Sequence, residues 1–436
     1  MGSMLDWNEP VDSFIDAMKK SGPRRAWFMT DPESGEYRTS HPAFDGVAGR
    51  IAGDERDYHA HEGSFFEIGK ESGYLLSAHI HKTVRGQAAG GVRFWTYDTI
   101  ESFIRDGLRL SRGMGHKNAL AGLWWGGGKG VIARRRNGSE SELRKHVYRD
   151  YGRFMSGLCG CYITAEDAGT RPEDMANVYR TTRYTTCIPS EFGGSGNPSI
   201  LTARGVVVAM EAALEALGMG TLEGKTIAMQ GLGNVSYYMV GYLRERRVRR
   251  IVGADIDADA VARVRADYAG GEFDWREVNA GDNSIFEEAC DVLAPNAVGA
   301  TLNAATIPEI RAALVCGAAN NQLEDPARDA RAMQERGILY VPDFLANRMG
   351  IVNCANEQYG VFDGDAAIES HLDRARPTGI WRRCIEVFER AKRSGRTPAE
   401  EAEALAEELS DEAHPIWGHR GRIIIGHLVT AGWAEG

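Results

Sequence analysis

Thr226-Ile-Ala-Met-Gln230, followed by Gly231-Leu-Gly-Asn-Val-Ser236, is the stretch that decides the fold. The short apolar run reads as a buried strand, the glycines as a tight turn, and the segment to about Arg246 as a helix. A second apolar run, Ile251 to Ala254, ends at Asp255, 24 residues after Gly231. Strand, glycines, helix, strand and acid in that order are the layout of a dinucleotide-binding unit. Gly231, Gly233, Asn234 and Val235 then let a pyrophosphate sit on the helix amino terminus, and Asp255 binds the adenosine ribose hydroxyls. Ser236 takes the place of a third glycine and is small enough for close helix packing. A carboxylate repels a 2′-phosphate, so Asp255 favours NAD over NADP. The alternative is a βαβ unit whose glycines serve only the turn.

Outward from this unit, apolar runs at Asp291 to Ala294, Leu314 to Gly317 and Ile338 to Val341 alternate with helical stretches. That alternation predicts a parallel sheet covered on both faces, an α/β architecture. Asn320-Asn321 lies beyond one strand end, where the amides either hold a nicotinamide or substrate group or simply make a turn. Before the unit, Leu201 to Leu217 reads as a linking helix.

A second region of interest runs from Arg112 to Ile132. It sets Lys117 and Lys129 twelve residues apart, with Gly126, Gly127 and Gly128 touching the second lysine. The glycines permit close backbone approach, and Val131-Ile132 predicts a buried strand. A lysine in low-dielectric surroundings loses basicity and suits proton transfer near neutral pH. The competing reading is a glycine-rich hairpin with two incidental lysines. Downstream, Cys161-Tyr-Ile-Thr-Ala165 reads as a strand ending in Glu166-Asp167, where open α/β sheets carry their chemistry. Asp167 is a candidate proton carrier, or alternatively a cap before Pro172.

The remaining segments carry weaker signals. Val11, Phe14, Ile15 and Met18 predict a short amphipathic helix, docked on its own domain or on a second subunit. Ser64 to Ile68 and Tyr74 to His81 read as strands. His79 and His81 share one face there and are expected to be exposed strand residues rather than metal ligands, since no third ligand is suitably spaced. Gly90-Gly91 is expected to end this region. Asp98 with Glu101, and Ser139 with Glu142, resemble capping boxes opening two helices. After Asn353 the chain turns mainly helical; Glu400 to Leu409 reads as a solvated helix, and Ile423-Ile-Ile425 is expected to be buried.

Composition excludes several classes. The chain has 436 residues, 43% hydrophobic and 26% charged, ordinary values for a globular protein of two or three domains. A net charge of -10 argues against a general nucleic-acid binder. No apolar run approaches a membrane span of ~20 residues. No signal peptide is evident, and Met1-Gly-Ser-Met4 reads as a cloning remnant before a native start. The seven cysteines lack paired spacing, which fits reduced thiols in a cytoplasmic protein better than disulfides or zinc. No metal site is expected.

Taken together, these features resemble the glutamate/leucine/phenylalanine/valine dehydrogenases, and most of all the leucine and phenylalanine branch. The resemblance runs from about His61 to Tyr359. It rests on Gly90-Gly-Val-Arg-Phe-Trp95, Lys117-Asn-Ala, Gly126-Gly-Gly-Lys129, Tyr162-Ile-Thr-Ala-Glu-Asp167, Ser195-Gly-Asn-Pro198, Gly231-Leu-Gly-Asn-Val235, Ala294-Pro295 and Ala319-Asn-Asn-Gln-Leu323. It implies an N-terminal extension (1–58), a substrate domain with a mixed sheet and helices (59–200), a Rossmann NAD domain (201–350) and C-terminal helices returning to the substrate domain (351–436), with a cleft between domains.

It also implies roles. Lys117 holds the substrate α-carboxylate, helped by the backbone near Gly91; Lys129 activates water, and Asp167 moves protons at the amino nitrogen. The activity implied is NAD-dependent oxidative deamination of an L-amino acid. Ala89 stands near the position of a lysine that pairs with the side chain in glutamate-specific members. With Ala165, Ile351 and Cys354 it implies an apolar pocket, roomy enough at Ala89 for an aromatic group. Asn347-Arg-Met-Gly350 departs from the family's Asn-Ala-Gly-Gly, and Trp124-Trp125 adds unusual bulk. Arg348 either binds an extra anionic substrate group or pairs with an acid such as Glu357. The alternatives are a dehydrogenase for an unusual, acidic or secondary-metabolic amino acid, and an NAD-responsive protein without turnover. The added terminal segments imply a homo-oligomer.

Overall fold

The computed structural model describes residues 6–21, 24–31, 34–135 and 140–436. The chain forms two compact units, one made of residues 1–197, 354–361 and 407–436, the other of 198–353 and 362–406. Among the described residues no helix is long and apolar enough to cross a membrane.

The first unit is built on a seven-stranded mixed sheet. In chain order its elements are α1 (Val11–Ser21), β1 (Arg25–Thr30), β2 (Tyr37–Thr39), α2 (Asp45–Ala52), β3 (Gly63–Ile68), β4 (Leu75–Ile80), β5 (Ala88–Trp95), α3 (Ile100–Leu120), β6 (Gly126–Ala133), α4 (Glu140–Gly157), β7 (Tyr162–Glu166) and α5 (Pro172–Tyr179). The strand order is β2-β1-β3-β4-β6-β5-β7. β6 runs antiparallel to β4 and parallel to β5, and β5 runs parallel to β7. The expected amphipathic helix is α1, and it docks within its own unit. Phe14 stacks on Phe44 at 5.0 Å and meets Phe66 at 5.4 Å, closing one end of the core. Burying each such ring stabilises by roughly 1.5–3 kcal/mol.

Helix α3 lies directly on β6 and β4, and glycine makes this possible. A Cβ on Gly107 would overlap the His79 ring, and one on Gly127 would lie 2.9 Å from the Gly115 backbone. Gly107, Gly113 and Gly115 inside α3 cost about 1 kcal/mol each in propensity, offset at Gly107 and Gly115 by close helix–sheet contact. The contact leaves no room for solvent at His79 and His81, which are buried rather than exposed as expected. His79 is satisfied by Ser64 and Ser77, and burial drives its pKa down to about 3, so it stays neutral.

Several other expectations are corrected. Gly90-Gly91 lies inside β5 instead of ending the region, because it pairs with Thr164 and Ala165 of β7; glycine is needed there since side chains would collide with Gly128 and Glu166 backbone on the flanking strands. The cap of α3 is Thr99 with Ser102, not Asp98 with Glu101: the Thr99 hydroxyl accepts from the Ser102 N–H at 3.1 Å. The box proposed at Ser139 and Glu142 lies outside the described residues. The acidic C-terminal helix, Pro398–Ser410, is half-buried, with Ala402, Leu405 and Ala406 inside. In the last helix Ile425 is buried but Ile423 is 62% exposed, since a helix turns three successive apolar residues onto different faces.

The second unit carries α6 (Ser199–Ala216), β8 (Thr226–Gln230), α7 (Asn234–Glu245), β9 (Arg250–Asp255), α8 (Ala258–Asp267), β10 (Glu272–Glu277), β11 (Val292–Pro295), β12 (Leu314–Val315) and β13 (Leu339–Tyr340). Its six strands are ordered β10-β9-β8-β11-β12-β13 and are all parallel. This is the doubly wound order, with the direction of winding reversing between β8 and β11. Strand β10 escaped the sequence reading because Glu272, Asp274 and Glu277 give an edge strand little apolar character.

Candidate active site

Lys129 lies in the middle of β6, opposite His79 of β4, with only 3% of its side chain exposed. Its Nζ is 2.8 Å from Asp167 Oδ2, just past the end of β7. Arg93 on β5 reaches the same carboxylate oxygen through Nε at 3.0 Å, and its Nη1 pairs with Asp106 of α3 at 3.0 Å. The Tyr97 hydroxyl and Arg109 also donate to Asp106, at 2.6 and 3.1 Å. Lys129, Asp167, Arg93 and Asp106 thus form a chain of alternating charge across three strands and a helix.

Burial lowers the Lys129 pKa, while Asp167 pulls it the other way and Arg93 reinforces the drop. Burial opposes ionisation of Asp167, but Lys129 and Arg93 outweigh it and hold the carboxyl well below the usual carboxylate range. The result is an ionised acid beside an amine that gives up its proton more readily than an ordinary lysine. Such a pair can accept a proton at one atom and hand it on from the other.

Of the other expected residues of this unit, Gly91 lies against Asp167. Gly91 is paired with Ala165 across β5 and β7, and a Cβ on it would lie 2.7 Å from Asp167 Cβ. Ala89 sits two residues earlier in β5, opposite Gly127 and Ile163, and is buried, as is Ala165. Lys117 occupies the last turn of α3, held against β6 by the glycine contacts, and is only partly buried. Asn118 beside it donates to the Gly126 carbonyl at 2.7 Å. Cys354 is buried, with its Sγ 2.8 Å from that of Cys187.

The second unit brings together the dinucleotide residues. Gly231 has φ +91° and lies against the Ala297 backbone, 2.8 Å from a would-be Cβ, so only glycine closes this turn. Gly233 caps the amino terminus of α7 and faces open space, with Asn234 exposed and Val235 half-buried behind it. Asp255 ends β9 and accepts from the Leu232 N–H at 2.5 Å and the Asp257 N–H at 2.9 Å. Open backbone at a helix amino terminus, next to a carboxylate and at the winding reversal, fits a nicotinamide dinucleotide. Asn320 is exposed beyond β12, its Oδ1 accepting from Asn347 at 3.0 Å; Asn321, at φ +52°, is the turn residue. Ile351 is buried.

Two departures find structural uses. Arg348 is fully buried and donates to the Thr378 carbonyl at 2.7 Å. Glu357, its expected partner, instead accepts from the Ile188 N–H and from Ser195. Trp124 packs under the Arg85 guanidinium at 4.5 Å and against His414, while Trp125 is buried.

Sequence reasoning gave Arg93, Asp106 and Glu166 no role. Arg93 lay inside a recognised motif, but nothing in its spacing ties it to Asp167. Glu166 Oε2 is buried without a hydrogen-bond partner among the described residues. Burial, with Asp174, Glu173 and Asp167 nearby, raises its pKa to about 7.

Residues 72–184 match the Glu/Leu/Phe/Val dehydrogenase dimerisation domain, and residues 193–408 match the glutamate/leucine/phenylalanine/valine dehydrogenase domain. Leucine dehydrogenase of Bacillus subtilis is 42% identical over 340 residues, covering 78% of this chain and 88% of its own. Valine dehydrogenase of Streptomyces coelicolor is 36% identical over 364 residues, covering 82% and 95%. Among solved structures, L-tryptophan dehydrogenase from Nostoc punctiforme superposes with a TM-score of 0.65 at 32% identity, covering 80% of this chain and 96% of its own. The chain therefore belongs to the glutamate/leucine/phenylalanine/valine dehydrogenase family of nicotinamide-dependent amino-acid oxidoreductases.

Proposed function

We propose that the protein oxidatively deaminates an apolar or aromatic L-amino acid to its 2-oxo acid and ammonium with NAD, and runs the reverse reductive amination. The observation that carries this reading is the buried Lys129–Asp167 pair, 2.8 Å apart, beside the cation Arg93. Lys117 holds the α-carboxylate, with the backbone at Gly91 alongside. Asp167, kept ionised, takes a proton from the amino nitrogen, leaving a lone pair to form the imine. When bound, the dinucleotide supplies the acceptor for the α-hydride. Lys129, its pKa lowered by burial, takes a proton from the water that attacks the imine carbon. Asp167 returns its proton to nitrogen as ammonium leaves.

Ala89, Ala165 and Cys354, all buried in the first unit, supply apolar groups for the side-chain pocket. Gly231, Gly233, Asn234 and Val235 receive the pyrophosphate, Asp255 the adenosine ribose, and Asn320 the nicotinamide amide. Asp255 supports NAD over NADP through repulsion of a 2′-phosphate. The match to a dimerisation domain supports a homo-oligomer, and seven free thiols are in keeping with the cytoplasm. The test is NADH formation with each common L-amino acid, using NAD and NADP in parallel. Turnover of leucine, valine, phenylalanine or tryptophan with NAD supports the reading; turnover of glutamate alone refutes it.

A further inference from the structure

Cys187 and Cys354, both buried, bring their sulfurs to 2.8 Å within the first unit. The chain turns through a φ of +59° at Cys187, a left-handed conformation uncommon for a side-chain-bearing residue, and this directs the thiol at the helix that carries Cys354. The same two segments are tied a second time. Glu357, one helical turn after Cys354, accepts from the Ile188 N–H at 3.2 Å and from the Ser195 N–H and hydroxyl at 2.7 and 2.6 Å. The thiols are therefore held together by contacts they do not themselves make. Cys354 is also the residue at which the chain re-enters the first unit after Asn353.

We propose that Cys187 and Cys354 are a modification site, closing to a reversible disulfide with a small uncharged oxidant of the peroxide class and slowing turnover. One sulfur, on losing its proton, attacks a peroxide oxygen; the O–O bond breaks, giving a sulfenic acid and water. The second sulfur attacks the sulfenic sulfur, the S–O bond breaks, the S–S bond forms, and a second water leaves. The two thiols lose two electrons and the peroxide gains them. A dithiol reductant reverses the step. The effect on turnover rests on the placement of Cys354 in the side-chain pocket, where the disulfide redirects its sulfur and fixes the chain at the crossing. The contact with Cys354 and burial both hold the Cys187 thiol pKa well above its usual value, so closure is slow at neutral pH and faster in alkali.

The full-length protein is treated with hydrogen peroxide, quenched, alkylated, digested without reductant and mapped by mass spectrometry. The expected result is a linked pair of peptides containing Cys187 and Cys354, two hydrogens lighter than their sum. Deaminase activity falls by about tenfold or more in parallel and returns with dithiothreitol. In Cys187→Ala the link is absent, and that variant's own activity withstands peroxide. Oxidation confined to the exposed Cys159, with no linked pair in the wild type, overturns the proposal, as does linkage without any change in turnover. The linked pair is read by mass alone, so finding it in a protein that deaminates no amino acid keeps the thiol pair and sinks the functional reading instead.

Discussion

Lys129 Nζ and Asp167 Oδ2 stand 2.8 Å apart, and the lysine is the more deeply buried of the two, 3% exposed against 18%. Their pKa values shift in the same direction, downward, for different reasons. Burial is the largest single influence on both groups; it prevails at the lysine, whereas at the aspartate the two cations Lys129 and Arg93 together outweigh it.

Replacing the acid should expose this coupling. In Asp167→Asn the charge that favours protonated Lys129 is gone, so the lysine pKa falls further. We expect kcat/KM to drop by about 10²–10⁴-fold and the limb of the pH–rate profile that reports Lys129 to move to lower pH. A limb that stays in place would show that Asp167 does not govern the lysine.

Gly127 tests whether close packing of α3 on β6 positions Lys117. A Cβ there meets the Gly115 backbone at 2.9 Å, and backbone cannot swing aside. Gly127→Ala should cost about 1–3 kcal/mol, seen as a melting point several degrees lower, and should raise KM for the amino acid. An unchanged melting point would contradict the packing argument.

Glu166 makes stability depend on pH. Its folded pKa is raised from 4.5 to about 7 by burial and neighbouring carboxylates. Below the unfolded value it is neutral in both states and costs nothing. As pH rises from about 4.5 to about 7 the unfolded chain ionises it while the folded protein keeps it protonated, so stability falls, by up to about 3 kcal/mol in all, and levels off once the folded carboxyl is charged too. Glu166→Gln should therefore gain more stability relative to wild type at pH 8 than at pH 5, measured by denaturant midpoints. Equal differences at the two pH values would rule this out.

Asp255 tests dinucleotide choice. In Asp255→Ser the repulsion of a 2′-phosphate disappears, and the ratio of kcat/KM for NADP over NAD should rise by roughly tenfold. If the ratio does not move, selectivity lies elsewhere.

The dinucleotide unit was legible because its signal is local: apolar strand, glycine turn, helix and acid follow one another within thirty residues. The burial of Lys129 was legible from Gly126, Gly127 and Gly128, which mark a strand against which a helix is pressed. The same pressing hid His79 and His81. Alternation made them look solvent-facing, but Gly107 and Gly115 belong to a distant stretch of sequence, and nothing near the histidines announces the helix that covers them. Arg93 and Asp106 were missed for the same reason, since Arg93 reaches both Asp167 and Asp106 only once β5, β7 and α3 are side by side. Polar β10 gave no apolar pattern to read.

The most direct test of the account is the rate of NADH appearance with L-leucine, L-valine, L-phenylalanine and L-tryptophan for wild type and Lys129→Ala, with NAD binding checked by fluorescence titration. The wild type is expected to turn over at least one of these, with a loss of about 10³-fold or more in the variant and unchanged NAD affinity. A variant that deaminates as fast as wild type would contradict the assignment of Lys129 as the proton-transferring amine.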